Sequence, residues 1–149
     1  MLINANRNLV RYADFGLPVL PDGFAGFAGP LAGLQTGLMH CTTPYLTTAP
    51  CDSPFLPEDL VARLAQALVQ QNAEVAVAVT GEGETRQPHP VFCLVKISLL
   101  AHLTAYLQQG GRKAEAWYAT LTAAPVRFND EADFRNINTL EELHRAESD

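Results

Sequence analysis

The stretch Tyr45-Leu46-Thr47-Thr48-Ala49-Pro50-Cys51-Asp52-Ser53-Pro54-Phe55-Leu56-Pro57 decides the fold. Its apolar first half has the length of a buried strand, and the prolines that follow prevent its continuation as a strand or a helix interior. Asp52 therefore lies at the carboxyl end of a predicted strand. In an open α/β sheet this edge is where ligands bind, because the loops there vary while the strands hold them rigidly.

The carboxylate of Asp52 has two interpretations. At the edge of a sheet, a carboxylate suits a divalent cation that is also bound to phosphates. Alternatively, Asp52 caps the helix entered at Pro57 or closes an Asx turn. This stretch alone leaves both interpretations open.

Strands and helices alternate along the chain, which indicates a three-layer α/β/α sandwich with a mostly parallel sheet. An almost uniformly apolar segment, 73–80, predicts a strand buried on both faces, and the next strand follows closely enough for an antiparallel hairpin. The other predicted strands are 1–3, 17–20, 91–96 and 125–128. Helices are predicted at 30–41, 57–71, 97–109 and 112–121, and a capping box at 139–142 opens the last one. We expect a single domain over residues 1–149.

Composition supports a soluble, globular and cytoplasmic protein. The 149 residues are 48% hydrophobic and 17% charged, which is enough for a core. A formal net charge of −6 argues against a nucleic-acid binder. The widely spaced Cys41, Cys51 and Cys93 form no CxxC pair and suit a reducing compartment. We also expect no signal peptide and no membrane span.

Several segments, read together, closely resemble the molybdenum cofactor guanylyltransferase family, MobA, within the nucleotidyltransferases with a Rossmann-like fold. The segments that carry most of this resemblance are Asn4-Ala5-Asn6-Arg7, Gly29-Pro30-Leu31-Ala32-Gly33 and the stretch from Pro50 to Pro57. The resemblance continues through His89-Pro90, Leu107-Gln108-Gln109-Gly110-Gly111-Arg112 and Phe134-Arg135-Asn136-Ile137-Asn138-Thr139-Leu140-Glu141-Glu142-Leu143. It therefore spans essentially the whole chain.

The resemblance implies a nucleotidyltransferase that uses Mg²⁺ to transfer GMP from GTP to the terminal phosphate of molybdenum-molybdopterin, with release of pyrophosphate. Such a reaction requires neutralisation of several negative charges while the attacking phosphate is held in line. The implied partners are these two substrates, other cofactor biosynthesis proteins and recipient molybdoenzymes, without nucleic acid or membrane. Two alternatives stay open: a relative that uses CTP, and a catalytically silent protein that binds molybdopterin or a partner.

By resemblance, Asp52 is the catalytic magnesium ligand and also lies against the nucleotide. Asn4 and Asp22 match positions that contact the guanine nucleotide, although a turn residue and a solvated carboxylate are the competing interpretations. Gly33 would let the backbone approach the ligand, which is compatible with ordinary packing at the start of a helix.

The resemblance also implies a binding site for the pterin and its phosphate, formed by Arg112, Lys113, Asn136 and Asn138. Guanidinium and amide donors suit such a ligand. For Arg112, a solvated surface charge is the alternative. His89 could shape the same cleft, but a structural histidine at the start of a strand is the favoured interpretation.

The chain differs from the family at its beginning. Family members start with a strand, a Leu-Ala-Gly-Gly loop that binds phosphates, and a helix, and none of these precedes Asn4. We therefore expect an N-terminally truncated member, inactive and poorly stable as given, with a gap between the strands that end at Asn4 and near Asp52. An in-frame Leu-Ala-Gly-Gly segment upstream of Met1 would favour the enzyme over the silent protein.

Overall fold

The computed structural model of the chain describes residues 1–23 and 29–146. The glycines, alanines and phenylalanines of 23–29 predict a loop, and most of this segment lies outside the described residues. The chain divides into two compact units, one of Met1–Leu46 with Val95–Thr122 and the other of Thr47–Leu94 with Ala123–Asp149. A single domain over 1–149 stays a prediction.

The first unit contains a small parallel sheet. Strand β1 (Ile3–Asn4) pairs with β2 (Val19–Leu20), so that Asn4 lies opposite Leu20. A short helix that the sequence analysis does not predict, α1 (Leu9–Ala13), connects the two strands. Because the strands are parallel, the residues that follow them emerge at the same edge.

The described part of the first unit also contains the α-helices α2 (Pro30–His40), α4 (Leu100–Gln108) and α5 (Ala114–Tyr118). Pro30 occupies the first turn of α2, as predicted, where its missing N–H has no partner to lose. The periodically spaced Leu31, Leu34 and Leu38 predict an apolar face on α2, and all three are buried. Helix α2 packs against α4. Helix α5 is shorter than the predicted 112–121.

A four-stranded sheet has the order β3-β5-β4-β6. Its strands are β3 (Tyr45–Thr48), β4 (Val75–Thr80), β5 (Gln87–Lys96) and β6 (Ala123–Arg127). Every residue of β4 is buried, which confirms the predicted buried strand, and β4 pairs in parallel with β6. The prediction that β3 is buried is wrong: β3 is an edge strand, and 42% of the Tyr45 surface is exposed. Strands β1 and β3 belong to different sheets.

Helix α3 (Leu60–Gln70) packs against β4 and β6. The apolar spacing within 57–71 predicts one buried face made of Leu60, Val61, Leu64, Ala65 and Leu68. Of these, Leu60, Leu64 and Leu68 are buried. Val61 is exposed, so its predicted place on the buried face is wrong: the apolar stripe is narrower than the sequence pattern indicates.

The last helix, α6 (Leu140–Ala146), begins with the predicted capping box. The Thr139 backbone N–H donates to Glu142 Oε2 at 3.1 Å, and the Glu142 N–H donates to Thr139 Oγ1 at 3.2 Å. Backbone hydrogen bonds from Asn138 and Thr139 lower the pKa of Glu142. The start of α6 therefore fixes the end of the loop that carries Asn136 and Asn138.

The observed architecture is α/β with a mostly parallel sheet, which confirms the predicted fold class. Within residues 1–23 and 29–146, every helix is too short or too polar to cross a bilayer.

Candidate functional site

In the first unit, the strand ends carry a connected group of polar side chains. The Asn4 side-chain amide donates to the Leu20 carbonyl and to Asp22 Oδ1, both at 3.1 Å. Asn6 donates to Asp22 Oδ2 at 2.8 Å and accepts a hydrogen bond from the Asp22 backbone N–H at 2.8 Å. Asn4 and Asp22, both predicted nucleotide contacts, are thus brought together at the carboxyl edge of β1 and β2.

Gly33 lies directly beside this group on α2. A Cβ atom at Gly33 would lie 2.4 Å from Asn4 Oδ1, closer than real Cβ atoms come to a neighbour, and a tight 3.2 Å from Asn4 Cγ. Glycine at this position therefore makes room for the Asn4 amide. Direct contact between the Gly33 backbone and a ligand stays a prediction.

Arg112 and Lys113 lie between α4 and α5 in the same unit. Arg112 Nη1 donates to the carbonyls of Leu107 at 2.9 Å and Gly111 at 2.7 Å, so the guanidinium satisfies backbone acceptors at the end of α4. Lys113 is the residue that precedes α5, and its carbonyl accepts a hydrogen bond from Tyr106. The structure thus gives Arg112 a helix-capping role, which is compatible with the predicted role in binding.

In the second unit, the loop after β3 is joined to the loop before α6. The Ile137 N–H donates to the Asp52 carbonyl at 2.7 Å, and Ser53 Oγ donates to Asn136 Oδ1 at 2.7 Å. The Arg135 guanidinium lies 5.2 Å from the centre of the Phe55 ring. Asp52, the predicted metal ligand, and Asn136, a predicted pterin contact, therefore lie on two loops that are held together.

A cleft of about 590 Å³ opens beside these loops, entirely within the second unit. Its lining combines prolines, phenylalanines and His89 with the polar residues Gln87, Glu131, Arg135 and Asn136. Among the residues that line it are His89, Phe92, Phe134, Arg135 and Asn136.

His89 forms part of the wall of this cleft. Its ring stacks on Phe134 with 4.5 Å between the ring centres, and its Nε2 lies 2.9 Å from Thr80 Oγ1. Burial lowers the pKa of His89, and the charge of Glu131 opposes this with a smaller effect. These contacts support the predicted structural histidine, and the same residue also shapes the cleft.

A model of the MobA-like NTP transferase domain matches residues 1–124 of this chain. The chain belongs to this family. Molybdenum cofactor guanylyltransferases from Cupriavidus taiwanensis and Ralstonia nicotianae are 56% and 55% identical to it. The first alignment covers 99% of this chain and 75% of the relative, and the second covers 97% and 74%. The predicted family is thus confirmed.

Solved structures confirm the MobA-like fold. The molybdopterin-guanine dinucleotide biosynthesis protein A of Archaeoglobus fulgidus superposes with a TM-score of 0.71 at 21% identity, covering 93% of this chain and 71% of its own. A 2-C-methyl-D-erythritol 4-phosphate cytidylyltransferase from Thermus thermophilus also has a TM-score of 0.71, at 19% identity, covering 99% of this chain and 80% of its own. At these identities the likeness concerns the fold alone.

The sequence patterns predict no role for Asn6 or Ser53, two polar residues that contact predicted site residues. Asn6 holds both the carboxylate and the backbone of Asp22, and Ser53 holds the side chain of Asn136. Both lie inside segments that carry the family resemblance. Asn6 lies two residues after Asn4, and Ser53 directly follows Asp52. This closeness in sequence to predicted site residues is the pattern from which a role could have been predicted.

The single carboxylate of Asp52 suits a metal ion that is also bound by the substrate. The described residues contain no group of three or more His, Cys, Asp or Glu side chains that could enclose a metal ion. Asp52 is a partly exposed single carboxylate. Mg²⁺ is commonly held by one or two carboxylates together with substrate phosphates and water, so this arrangement fits a cation that arrives with a phosphorylated ligand.

The lowered pKa of His89 predicts that stability depends on pH. Because the folded-state pKa lies below the unfolded value of about 6.5, the unfolded chain takes up a proton first as the pH falls. The free energy of unfolding should then decrease from about pH 6.5 down to the folded-state pKa and change little below it. The substitution His89→Gln should remove this contribution.

Urea unfolding at about pH 7.5 and about pH 5.5 measures the effect while most carboxylates stay ionised. We expect the wild-type protein to lose more stability than His89→Gln between these values. Equal decreases in the free energy of unfolding would show that burial does not lower the pKa of His89.

Proposed function

We propose that the protein is a molybdenum cofactor guanylyltransferase that transfers GMP from GTP to molybdenum-molybdopterin, with release of pyrophosphate. The observation that carries this proposal is the identity of 56% over 99% of the chain to relatives of that name. The polar groups at the strand ends and the cleft of the second unit support it, since nucleotide transfer requires positioned donors and carboxylates.

The first step is binding of the nucleotide by Asn4 and Asp22. In the structure, Asn6 and the Leu20 carbonyl hold these side chains in one arrangement. Amide and carboxylate groups can exchange hydrogen bonds with the polar edge of a guanine base or with a ribose. Because their orientation exists before the ligand arrives, little conformational entropy is lost on binding.

Asp52 is the residue that would hold Mg²⁺. The bound ion would neutralise phosphate charge and stabilise the charge that develops during transfer. The protein supplies a carboxylate whose loop is fixed by the hydrogen bond between the Asp52 carbonyl and Ile137. A fixed loop keeps the carboxylate in place without a cost of reorganisation during the reaction.

Asn136 and Asn138, with Arg112 and Lys113, are proposed to bind the pterin and its phosphate. Asn136 lines the cleft of the second unit beside Arg135 and the partly exposed His89. The Asn138 backbone N–H donates to Glu142, which holds this loop against the first turn of α6. We propose a cytoplasmic location for the reaction, because both proposed substrates are polar, phosphorylated molecules.

A transfer assay with the full-length gene product tests the function. The protein is incubated with molybdenum-molybdopterin, Mg²⁺ and equal amounts of GTP and CTP, and the dinucleotides formed are separated. We expect the guanine dinucleotide in at least tenfold excess. A cytosine dinucleotide would assign the CTP-dependent reaction instead, and no dinucleotide at all would support a silent binding protein.

The contact between Gly33 and Asn4 yields a prediction for nucleotide affinity. In Gly33→Ala the new methyl group displaces the Asn4 amide, which loses its hydrogen bonds to Leu20 and Asp22. Each such bond contributes about 0.5–1.5 kcal/mol, so GTP should bind roughly tenfold more weakly. Isothermal titration measures this affinity.

Gly37→Ala is the matched control on the same helix. The atoms nearest to a Cβ there belong to the Leu46 side chain, and the closest is its terminal Cδ2, which can rotate away. Its GTP affinity should stay within about twofold of wild type. Equal GTP affinities of Gly33→Ala and Gly37→Ala would show that Asn4 does not contribute to nucleotide binding.

A further inference from the structure

Ser53 makes a hydrogen bond that the nucleotidyl transfer described above does not explain. Its side chain is 3% exposed, and its Oγ donates to Asn136 Oδ1 at 2.7 Å across a sequence separation of 83 residues. In the described part of the chain this bond satisfies the Ser53 hydroxyl. A buried hydroxyl that donates to the side chain of a cleft residue restricts the orientation of that side chain.

The bond places the carbonyl end of the Asn136 amide against Ser53. An asparagine side chain offers a carbonyl acceptor at one end and an NH₂ group with two donors at the other. Because Ser53 donates to the carbonyl oxygen, the NH₂ group is left for the cleft that Asn136 lines. A pair of donors suits a phosphate oxygen or a ring carbonyl and does not suit another donor.

The surrounding loops prevent Asn136 from turning away. The next residue, Ile137, donates its N–H to the Asp52 carbonyl, and the preceding Arg135 lies over the Phe55 ring. Backbone and neighbouring side chains therefore fix the loop, while Ser53 fixes the amide. Without the hydroxyl, the loop would keep its position and the amide would be free to rotate by half a turn.

We propose that Ser53 is a positioning residue that orients Asn136, so that the Asn136 NH₂ group binds an acceptor oxygen of the second substrate, molybdenum-molybdopterin. The inference rests on the proposed function for the identity of this ligand. The orienting bond itself is independent of that function. Ser53 touches no reacting atom and acts through Asn136.

The kinetic test is a double-mutant cycle of Ser53→Ala and Asn136→Ala, with Ser98→Ala as an exposed control for the same serine substitution. Ser53→Ala should raise the KM for molybdenum-molybdopterin about tenfold and leave the KM for GTP within about twofold. In the Asn136→Ala background, Ser53→Ala should have no further effect. Ser98→Ala should match wild type in both constants. An equal effect of Ser53→Ala in both backgrounds would overturn the proposal.

A second measurement needs no turnover. In a ¹⁵N-labelled protein, the side-chain NH₂ signals of Asn136 are identified by their loss in Asn136→Ala. Ser53→Ala should move them toward the positions of a freely rotating amide, while Ser53→Thr, which keeps a hydroxyl, should preserve them. Unchanged signals in Ser53→Ala would overturn the orienting role. Failure of the wild-type protein to transfer GMP, with the expected signal change present, would instead overturn the proposed substrate.

Discussion

Asp52→Asn is expected to abolish GMP transfer while the fold stays intact. The substitution removes one negative charge and changes the shape of the side chain very little. A metal ion typically stabilises the transition state by several kcal/mol, so loss of its protein carboxylate should lower kcat at least about a hundredfold. The main-chain hydrogen bond from Ile137 to the Asp52 carbonyl is retained, and the loop should therefore keep its position.

The matched control is Asp59→Asn in the same unit. Asp59 is an exposed carboxylate whose side chain lies 3.7 Å from Arg63, and an exposed pair of this kind contributes little to stability. Its transfer rate should stay within about twofold of wild type. A transfer rate of Asp52→Asn that equals that of the control would exclude Asp52 as the metal ligand. Unfolding curves of both variants test that the fold is retained.

Phe134→Ala is expected to cause a large decrease in the free energy of unfolding. Phe134 is 5% exposed, stacks on His89, and makes edge contacts with Phe92 at 4.9 Å and Phe128 at 5.2 Å between ring centres. Truncation of a buried phenylalanine removes its transfer free energy and leaves a cavity, at a cost of about 3–5 kcal/mol. Because whole-domain stability is about 5–15 kcal/mol, this loss is a large fraction of the total.

Chemical denaturation of Phe134→Ala and Phe15→Ala measures this difference. Phe15 is 70% exposed, and its truncation should change the free energy of unfolding by less than about 0.5 kcal/mol. Similar effects of the two substitutions would show that the aromatic wall of the cleft is not part of a cooperative core.

Periodicity predicts the elements whose environment is uniform. Strand β4 is apolar or β-branched at every position and is buried throughout, and α3 shows Leu60, Leu64 and Leu68 on one face. Strand β3 has the same apolar signal, yet it lies at the edge of its sheet. A short apolar run does not predict whether a strand has one or two neighbouring strands in the sheet. That number depends on the pairing of distant segments of the chain.

In the candidate site, too, some contacts are predictable from local sequence patterns, and others join segments that are far apart in sequence. That Asn4 and Asp22 meet is predictable, since Asn4 ends one short strand, Asp22 follows another, and the ends of parallel strands share one edge. The bond from Ser53 to Asn136 is not predictable from local patterns, because it joins two loops 83 residues apart. Nor does the sequence reveal that Gly33 makes room for the Asn4 side chain, which depends on how α2 lies against β1.

The central claim, that Asp52 holds the divalent cation of a GTP-dependent transferase, is tested most directly by Mn²⁺ binding in the presence of GTP. Electron paramagnetic resonance measures free Mn²⁺ in titrations of the wild-type protein, Asp52→Asn and Asp59→Asn. We predict that Asp52→Asn binds the ion at least about tenfold more weakly, while Asp59→Asn matches wild type. Equal Mn²⁺ affinities of all three proteins would contradict the account.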